Sequence, residues 1–165
     1  MKNISYISIG SNIGNRIINI EKSIVKLSSF SKIISQSSFY ETQPWGYVDD
    51  NNYINIVVKI QTNFSAYSLL SKLKNIEQDM GRKKNINSNY AARIIDLDIL
   101  FFNDLVICSD ILNIPHKELY NRNFVLEPLF EIASSHKCPN TNKKVSQLLI
   151  DCQDLTKVSL YKIIN

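Results

Sequence analysis

No stretch of the 165 residues holds the run of about 20 consecutive apolar side chains that a membrane-spanning helix needs. The start, Met1-Lys2-Asn3-Ile4-Ser5-Tyr6, is broken by polar residues too often to serve as the apolar core of a signal peptide. Cysteine is scarce: Cys108, Cys138 and Cys152 are odd in number and too widely spaced for a zinc knuckle or a redox pair, which predicts reduced thiols. These absences predict a soluble, unexported, cytoplasmic protein. No Gly-x-x-x-x-Gly-Lys-Ser/Thr occurs, so a P-loop is excluded. No internal repeat, low-complexity tract or linker divides the chain, and at roughly 150 residues per domain its length predicts one domain, residues 1–165.

The hydrophobic share of 44% and the charged share of 21% are those of a globular chain and exclude disorder and collagen-like structure. Charge of one sign is also weak. Lys plus Arg number 19 against 15 Asp plus Glu, a net +4 that suits phosphate-bearing ligands without naming one.

Hydrophobic periodicity orders the chain. Residues 4–9 read as a strand that ends in a turn at Gly10-Ser11-Asn12. Asn15 is a candidate N-cap for a helix whose Ile17, Ile20, Ile24 and Leu27 recur at spacings of three and four. Residues 32–40 read as one strand, and residues 41–52, with Pro44, Gly46 and Asp49-Asp50, as a long surface loop. Residues 53–61 alternate cleanly: Ile54, Ile56, Val58 and Ile60 take the core parity, while Tyr53, Asn55, Lys59 and Gln61 face an open side.

A second helix runs from the N-cap Ser65 through Leu69, Leu73, Ile76 and Met80 to a stop at Gly81. A basic loop follows over residues 82–89, then a strand over 94–102 and, past an Asn103-Asp104 turn, a short partner strand over 105–107. Strand, helix, strand, strand, helix, strand is the split βαβ order of a ferredoxin-like α+β fold, an antiparallel sheet with two helices on one face. Residues 116–120, 124–133 and 145–150 read as short helices of a C-terminal appendage.

Asp96 and Asp98 are two apart on a strand, so both carboxylates leave the same face while Leu97 and Ile99 enter the other. At about 5 Å, two like charges repel by roughly 3 kcal/mol at an effective dielectric of 20. A cation relieves this, and hard carboxylate oxygens favour Mg²⁺, which usually bridges to phosphate. A solvated strand face with two unrelated acids is the alternative. The basic loop and Arg93, three residues upstream, bring cations beside the acids, as phosphoryl transfer requires. Tyr53 and Asn55 share a face directly after the loop with Thr42, Pro44 and Trp45, a combination of ring and amide that suits a flat heterocycle.

Several motifs occur together and in order: Ile9-Gly10-Ser11-Asn12, Ser38-Phe39-Tyr40-Glu41-Thr42 with Pro44 and Gly46, Tyr53-Ile54-Asn55, and Glu77 with Gly81-Arg82. They continue with Arg93 before Asp96-Leu97-Asp98-Ile99-Leu100, then Pro115-His116, Arg122 and Phe124. In this set the chain resembles the 6-hydroxymethyl-7,8-dihydropterin pyrophosphokinases of folate biosynthesis over nearly its whole length. The resemblance implies transfer of the β,γ-pyrophosphoryl group of ATP to the pterin hydroxymethyl, with release of AMP. It implies two Mg²⁺ ions held by Asp96 and Asp98, a pterin ring between Tyr53 and Phe124 with Asn55 at its edge, and the backbone of Thr42, Pro44 and Trp45 completing the pocket.

Glu77, Ile99, His116 and Arg122 match positions that meet ATP, and Arg82 and Arg93 match arginines on its phosphates. Arg82, Lys84 and Arg93 are the expected catalytic residues, and the segment between Arg82 and Arg93 resembles the family's mobile catalytic loop. The implied partners are small molecules, with no nucleic acid and no membrane, acting on a monomer. Asn89-Tyr90-Ala91-Ala92-Arg93 stands where relatives commonly read Arg-Trp-Gly-Pro-Arg, Lys84 where a second arginine is frequent, and Lys74 where glutamine is familiar. A lysine does not supply the bidentate fork of an arginine. An RNA-recognition module shares the element order but carries a Lys/Arg-Gly-aromatic run where this chain has acids. Nucleotide-sugar transferases with Asp-x-Asp sites are generally much longer.

Overall fold

The computed structural model describes residues 2–46, 50–81 and 92–162. Strand β1 (Asn3–Ser11) leads through a turn to helix α1 (Arg16–Ser28), then to strands β2 (Lys32–Gln36), β3 (Tyr40–Thr42) and β4 (Tyr53–Thr62). Helix α2 (Ala66–Asp79) precedes β5 (Asp96–Phe102), and the short strands β6 (Ile107–Cys108) and β7 (Asn113–Ile114) form a separate ribbon. A 3-10 turn (Leu119–Asn121), α3 (Asn123–Ala133), α4 (Val145–Asp151) and β8 (Val158–Leu160) complete the chain.

The main sheet runs β5-β1-β4-β3-β8, with β2 also on β4, and every neighbouring pair is antiparallel. This is the expected α+β arrangement. Both expected N-caps form: Asn15 accepts from the Ile18 amide at 3.1 Å and Ser65 from the Ser68 amide at 3.2 Å, each satisfying a donor that the helix leaves unpaired. Gly81 ends α2 with φ +91°, a conformation that costs other residues a steric penalty. Ile54, Ile56, Val58 and Ile60 pack with Ile7, Ile9, Leu97 and the apolar stripes of α1 and α2 in one core.

Expectations on element boundaries are corrected at several points. Glu41 and Thr42 are not part of the loop expected over residues 41–52 but belong to β3, paired with Ile54 and Tyr53 of β4. Gly10 and Ser11 belong to β1, paired with Asn55 and Ile54 of β4, and the turn begins after them. Residues 32–40 are not one strand. They break at Ser37, whose amide bonds to Val57 O (2.9 Å) and whose hydroxyl accepts from the Val57 amide (3.0 Å), so the backbone is satisfied without a continuous ladder. Residues 105–107 do not pair with β5, because Asn103 (φ 47°) turns back onto β1, exchanging bonds with Ile4 at 2.8 Å each; Ile107 pairs instead with Ile114. Residues 116–120 are not a helix; a 3-10 turn lies at Leu119–Asn121.

The side of β4 expected to be open is partly covered. Val57 is fully buried there in a second core with Tyr6, Leu100, Phe101, Leu126, Leu129 and Val145, so the C-terminal helices close part of this face. Glu131 of α3 fastens them. Its carboxylate accepts from the Ser38 amide (2.9 Å), the Ser38 hydroxyl (2.9 Å) and the Tyr40 hydroxyl (2.8 Å). Burial and this carboxylate push the Tyr40 phenol up to about 12.

His136 lies beside Tyr6 (centroids 5.0 Å apart) and Phe101 (4.7 Å), with its buried Nε2 lacking a partner among the described residues. Burial lowers its pKa below the ordinary 6.5, while Asp104 raises it and Lys59 lowers it further. The unfolded chain therefore takes up a proton here at a pH where the folded chain does not. Stability contributed by neutral His136 is complete above pH 6.5 and is lost as pH falls from 6.5 towards the lowered folded value. Urea unfolding from pH 8 to 5 is expected to show a falling midpoint, and a shallower fall in His136→Gln.

Candidate active site

Three strands place a row of residues across the uncovered part of the second face. Asp96 of β5 pairs with Gly10 of β1, and Gly10 with Asn55 of β4. Strands lie about 4.8 Å apart, so the acid and the amide rise roughly 10 Å from each other. Between them Gly10 leaves a bare floor: a Cβ there would meet Asn55 Oδ1 at 2.9 Å. One pair along, Asp98 faces Ser8, on the same side as Asp96.

Above this floor is a cavity of about 310 Å³. Thr42, Trp45, Tyr53, Asn55, Arg93, Asp96, Asp98, His116, Arg122 and Phe124 all line it. Of the other expected residues, Pro44 lies in the same loop but is not on the wall. Glu77 is buried behind the sheet, where it accepts from the Leu97 amide (2.8 Å) and from Lys74 (3.1 Å). Ile99 points into the core shared with α1 and α2, as strand alternation from Asp98 requires. Arg82 and Lys84, with Tyr90, lie outside the described residues.

The wall also includes Ser8, Gly10, Gln43, Leu100, Lys117, Glu118 and Val125, which carried no site expectation. For Ser8 and Gly10 a signal existed: small residues at alternate positions of a strand leave space above it.

The cavity has two ends. At the acidic end, Arg93 Nη1 contacts Asp96 Oδ2 at 2.8 Å, and His116 Nε2 and Arg122 Nη1 approach Asp98 Oδ2 at 3.8 and 3.9 Å. Burial opposes the charge on Arg93, but Asp96, Tyr53 and Asp98 more than offset it, and its pKa is raised. Burial lowers the pKa of His116 against the pull of Asp98. His116 Nδ1 accepts from the Glu118 amide at 3.2 Å, so in the neutral ring Nε2 carries the proton and directs it to Asp98.

At the other end the Asn55 amide is buried and donates to Thr42 Oγ1 at 2.9 Å, which orients its Oδ1 over Gly10. Arg122 bridges the ends, its guanidinium 5.0 Å from the Trp45 ring and 5.8 Å from Phe124, within cation-π range. The buried Arg122 Nε has no partner among the described residues.

Among the described residues no three His, Cys, Asp or Glu side chains gather as a metal cage. An open pair of carboxylates is nevertheless the donor set by which Mg²⁺ is commonly bound, with water and substrate phosphate filling the remaining positions. Asp96 and Asp98 fit an ion that arrives with phosphate.

Residues 6–134 match the family model described as 7,8-dihydro-6-hydroxymethylpterin-pyrophosphokinase (HPPK). The chain belongs to the HPPK family. An HPPK of Aquifex aeolicus, named 2-amino-4-hydroxy-6-hydroxymethyldihydropteridine pyrophosphokinase, is 40% identical over 127 residues, 77% of this chain and 78% of that one. The Haemophilus influenzae protein of the same name is 37% identical over 139 residues, 83% of this chain and 86% of that one. A crystal structure of Plasmodium falciparum HPPK-DHPS shares the fold at a TM-score of 0.78 and 20% identity, covering 91% of this chain and 44% of that longer one. Membership in the HPPK family makes the chain a transferase of the pyrophosphokinase class, in folate biosynthesis.

Proposed function

We propose that this protein transfers the β,γ-pyrophosphoryl group of ATP to the hydroxymethyl oxygen of 6-hydroxymethyl-7,8-dihydropterin. A bond forms between that oxygen and the β-phosphorus, the bond from the β-phosphorus to the α,β-bridging oxygen breaks, and AMP leaves as the hydroxyl proton is lost. The observation that carries this reading is the row Asp96, Gly10, Asn55, with a phosphate-handling end and a heterocycle-reading end on one bare floor.

Each end has its own task. Asn55 Oδ1 accepts from an N–H on the pterin edge, while Tyr53, Trp45 and Phe124 supply flat apolar contact, with the Thr42–Trp45 backbone beside them. Arg93, His116 and Arg122 orient the phosphates and stabilise charge that grows on the bridging oxygen. Asp96 and Asp98 hold two Mg²⁺ ions, which neutralise phosphate charge when bound. By the family resemblance, Arg82 and Lys84 join Arg93 in the transfer, and Glu77 and Ile99 match positions that meet ATP; the core position of Ile99 leaves it only main-chain atoms to offer, and the burial of Glu77 behind the sheet leaves its carboxylate to act through the Leu97 amide.

The same reading makes the protein a single-domain, cytoplasmic monomer with small-molecule substrates and no nucleic-acid partner. The free thiols fit a reducing compartment, and the acids on the sheet would repel a nucleic-acid backbone. No helix among the described residues is long and apolar enough to cross a membrane.

Chromatography of the nucleotides after incubation with ATP, Mg²⁺ and the pterin tests the assignment: AMP is expected one for one with pterin consumed, and ADP would overturn it. Gly10→Ala is expected to weaken pterin binding by roughly 10- to 100-fold, because the added Cβ displaces a buried hydrogen-bonding amide. Calorimetric titration would show this, with ATP affinity unchanged.

A further inference from the structure

Asn12 belongs to the Gly10-Ser11-Asn12 motif, yet it does not line the cavity and no role above depends on it. It is 2% exposed. Its amide donates to Arg93 O at 3.1 Å, and its side-chain Oδ1 accepts from the Arg93 amide at 2.7 Å, so one residue grips both sides of the Arg93 main chain. Its Nδ2 reaches Asn51 O at 3.4 Å, at the foot of the loop that carries Trp45.

The grip is itself rigidly mounted. Asn19 of α1 donates to the Ser11 hydroxyl (3.2 Å) and to Ile13 O (2.8 Å), tying a side chain on one side of Asn12 and the backbone on the other. Arg93 in turn meets Asp96 at 2.8 Å.

We infer that Asn12 is a positioning residue, which holds the Arg93 main chain and through it the Arg93–Asp96 pair at the phosphate end of the cavity. The inference rests on the pyrophosphokinase reading. A buried amide is suited to this, since its acceptor and donor tie two segments to a third without adding a charge beside the acids. Without the tie, Arg93 follows its own chain, and a displacement of about 1 Å in a group that orients a reacting phosphate costs on the order of 10²-fold in rate.

The test is a double-mutant cycle in the full chain, with kcat and the pterin KM read for the unaltered protein, Asn12→Ala, Arg93→Ala and the double variant. Asn12→Ala is expected to lower kcat on the order of 10²-fold with the pterin KM within about threefold, but to cost less than about threefold more in kcat once Arg93 is absent. Equal losses in both backgrounds, or no loss in the first, overturn the inference. If Asn12→Ala does not fold, Asn12→Asp enters the same cycle. It keeps an oxygen acceptor for the Arg93 amide but loses the donor to Asn51 and buries a charge beside the acids, so a loss of roughly three- to tenfold in kcat is expected with Arg93 present and of less than about threefold with it absent. A loss as deep without Arg93 as with it overturns the inference. Absence of pterin-dependent AMP from the unaltered protein overturns the functional reading first, and this inference with it.

Discussion

Replacing Asp98 with alanine is expected to lower Mg²⁺-dependent turnover on the order of 10³-fold while pterin affinity stays within about threefold. The asymmetry follows from the register. Asp98 pairs with Ser8 on β1, whereas Asn55 pairs with Gly10, so the acid and the pterin-reading amide lie in different rows with a strand between them. The near partners of Asp98 are His116 and Arg122, both at the phosphate end. Loss of the carboxylate leaves the Arg122 guanidinium and the His116 Nε2–H without their acidic counterpart and removes half of the oxygen donor pair. Steady-state kinetics across a Mg²⁺ series and calorimetric pterin titration decide the matter. Unchanged turnover would make the acids structural; a collapse in pterin affinity would mean that the two ends are not separate.

Glu77→Ala is expected to destabilise the fold by about 1–3 kcal/mol, the cost of leaving the buried Leu97 amide without its acceptor. The Lys74 contact adds little, because the Lys74 side chain is 44% exposed. Glu77→Gln keeps an oxygen for Leu97 and is expected to lose less than about 1 kcal/mol. Because Leu97 lies between Asp96 and Asp98, the alanine variant should also lose turnover as the strand start loosens. Urea unfolding of the two variants separates the effects. Equal destabilisation by both would show that the carboxylate charge, and not the hydrogen bond to Leu97, holds α2 against β5.

What the sequence makes legible is what depends on local pattern. Asn15 and Ser65 announce their helices because a capping side chain bonds within three residues, and Ile54 to Ile60 reveal β4 because alternation is a local period. The acidic pair follows for the same reason. What the pattern does not carry is who pairs with whom. Gly10 reads as a turn because glycine is a breaker in isolation; in the sheet it is the floor between Asp96 and Asn55, a role set by two other strands.

Ser37 likewise breaks a run that looks continuous, through bonds to Val57 twenty residues away. The covering of Val57 depends on α3 and its Glu131 latch to Ser38 and Tyr40, over 90 residues distant. Glu77 and Ile99 match motif positions, but only the packing of α2 on β5 turns the first into a backbone anchor and the second into core. Asn12 has no periodic signature at all; its importance is a matter of distances to Arg93 and Asn51.

The most direct measurement is the ³¹P NMR spectrum of the products formed from ATP, Mg²⁺ and 6-hydroxymethyl-7,8-dihydropterin. A pterin diphosphate, seen as two mutually coupled phosphorus resonances, is predicted to grow together with the single resonance of AMP. A lone phosphomonoester resonance on the pterin with ADP beside it, or ATP left unchanged, would contradict the account.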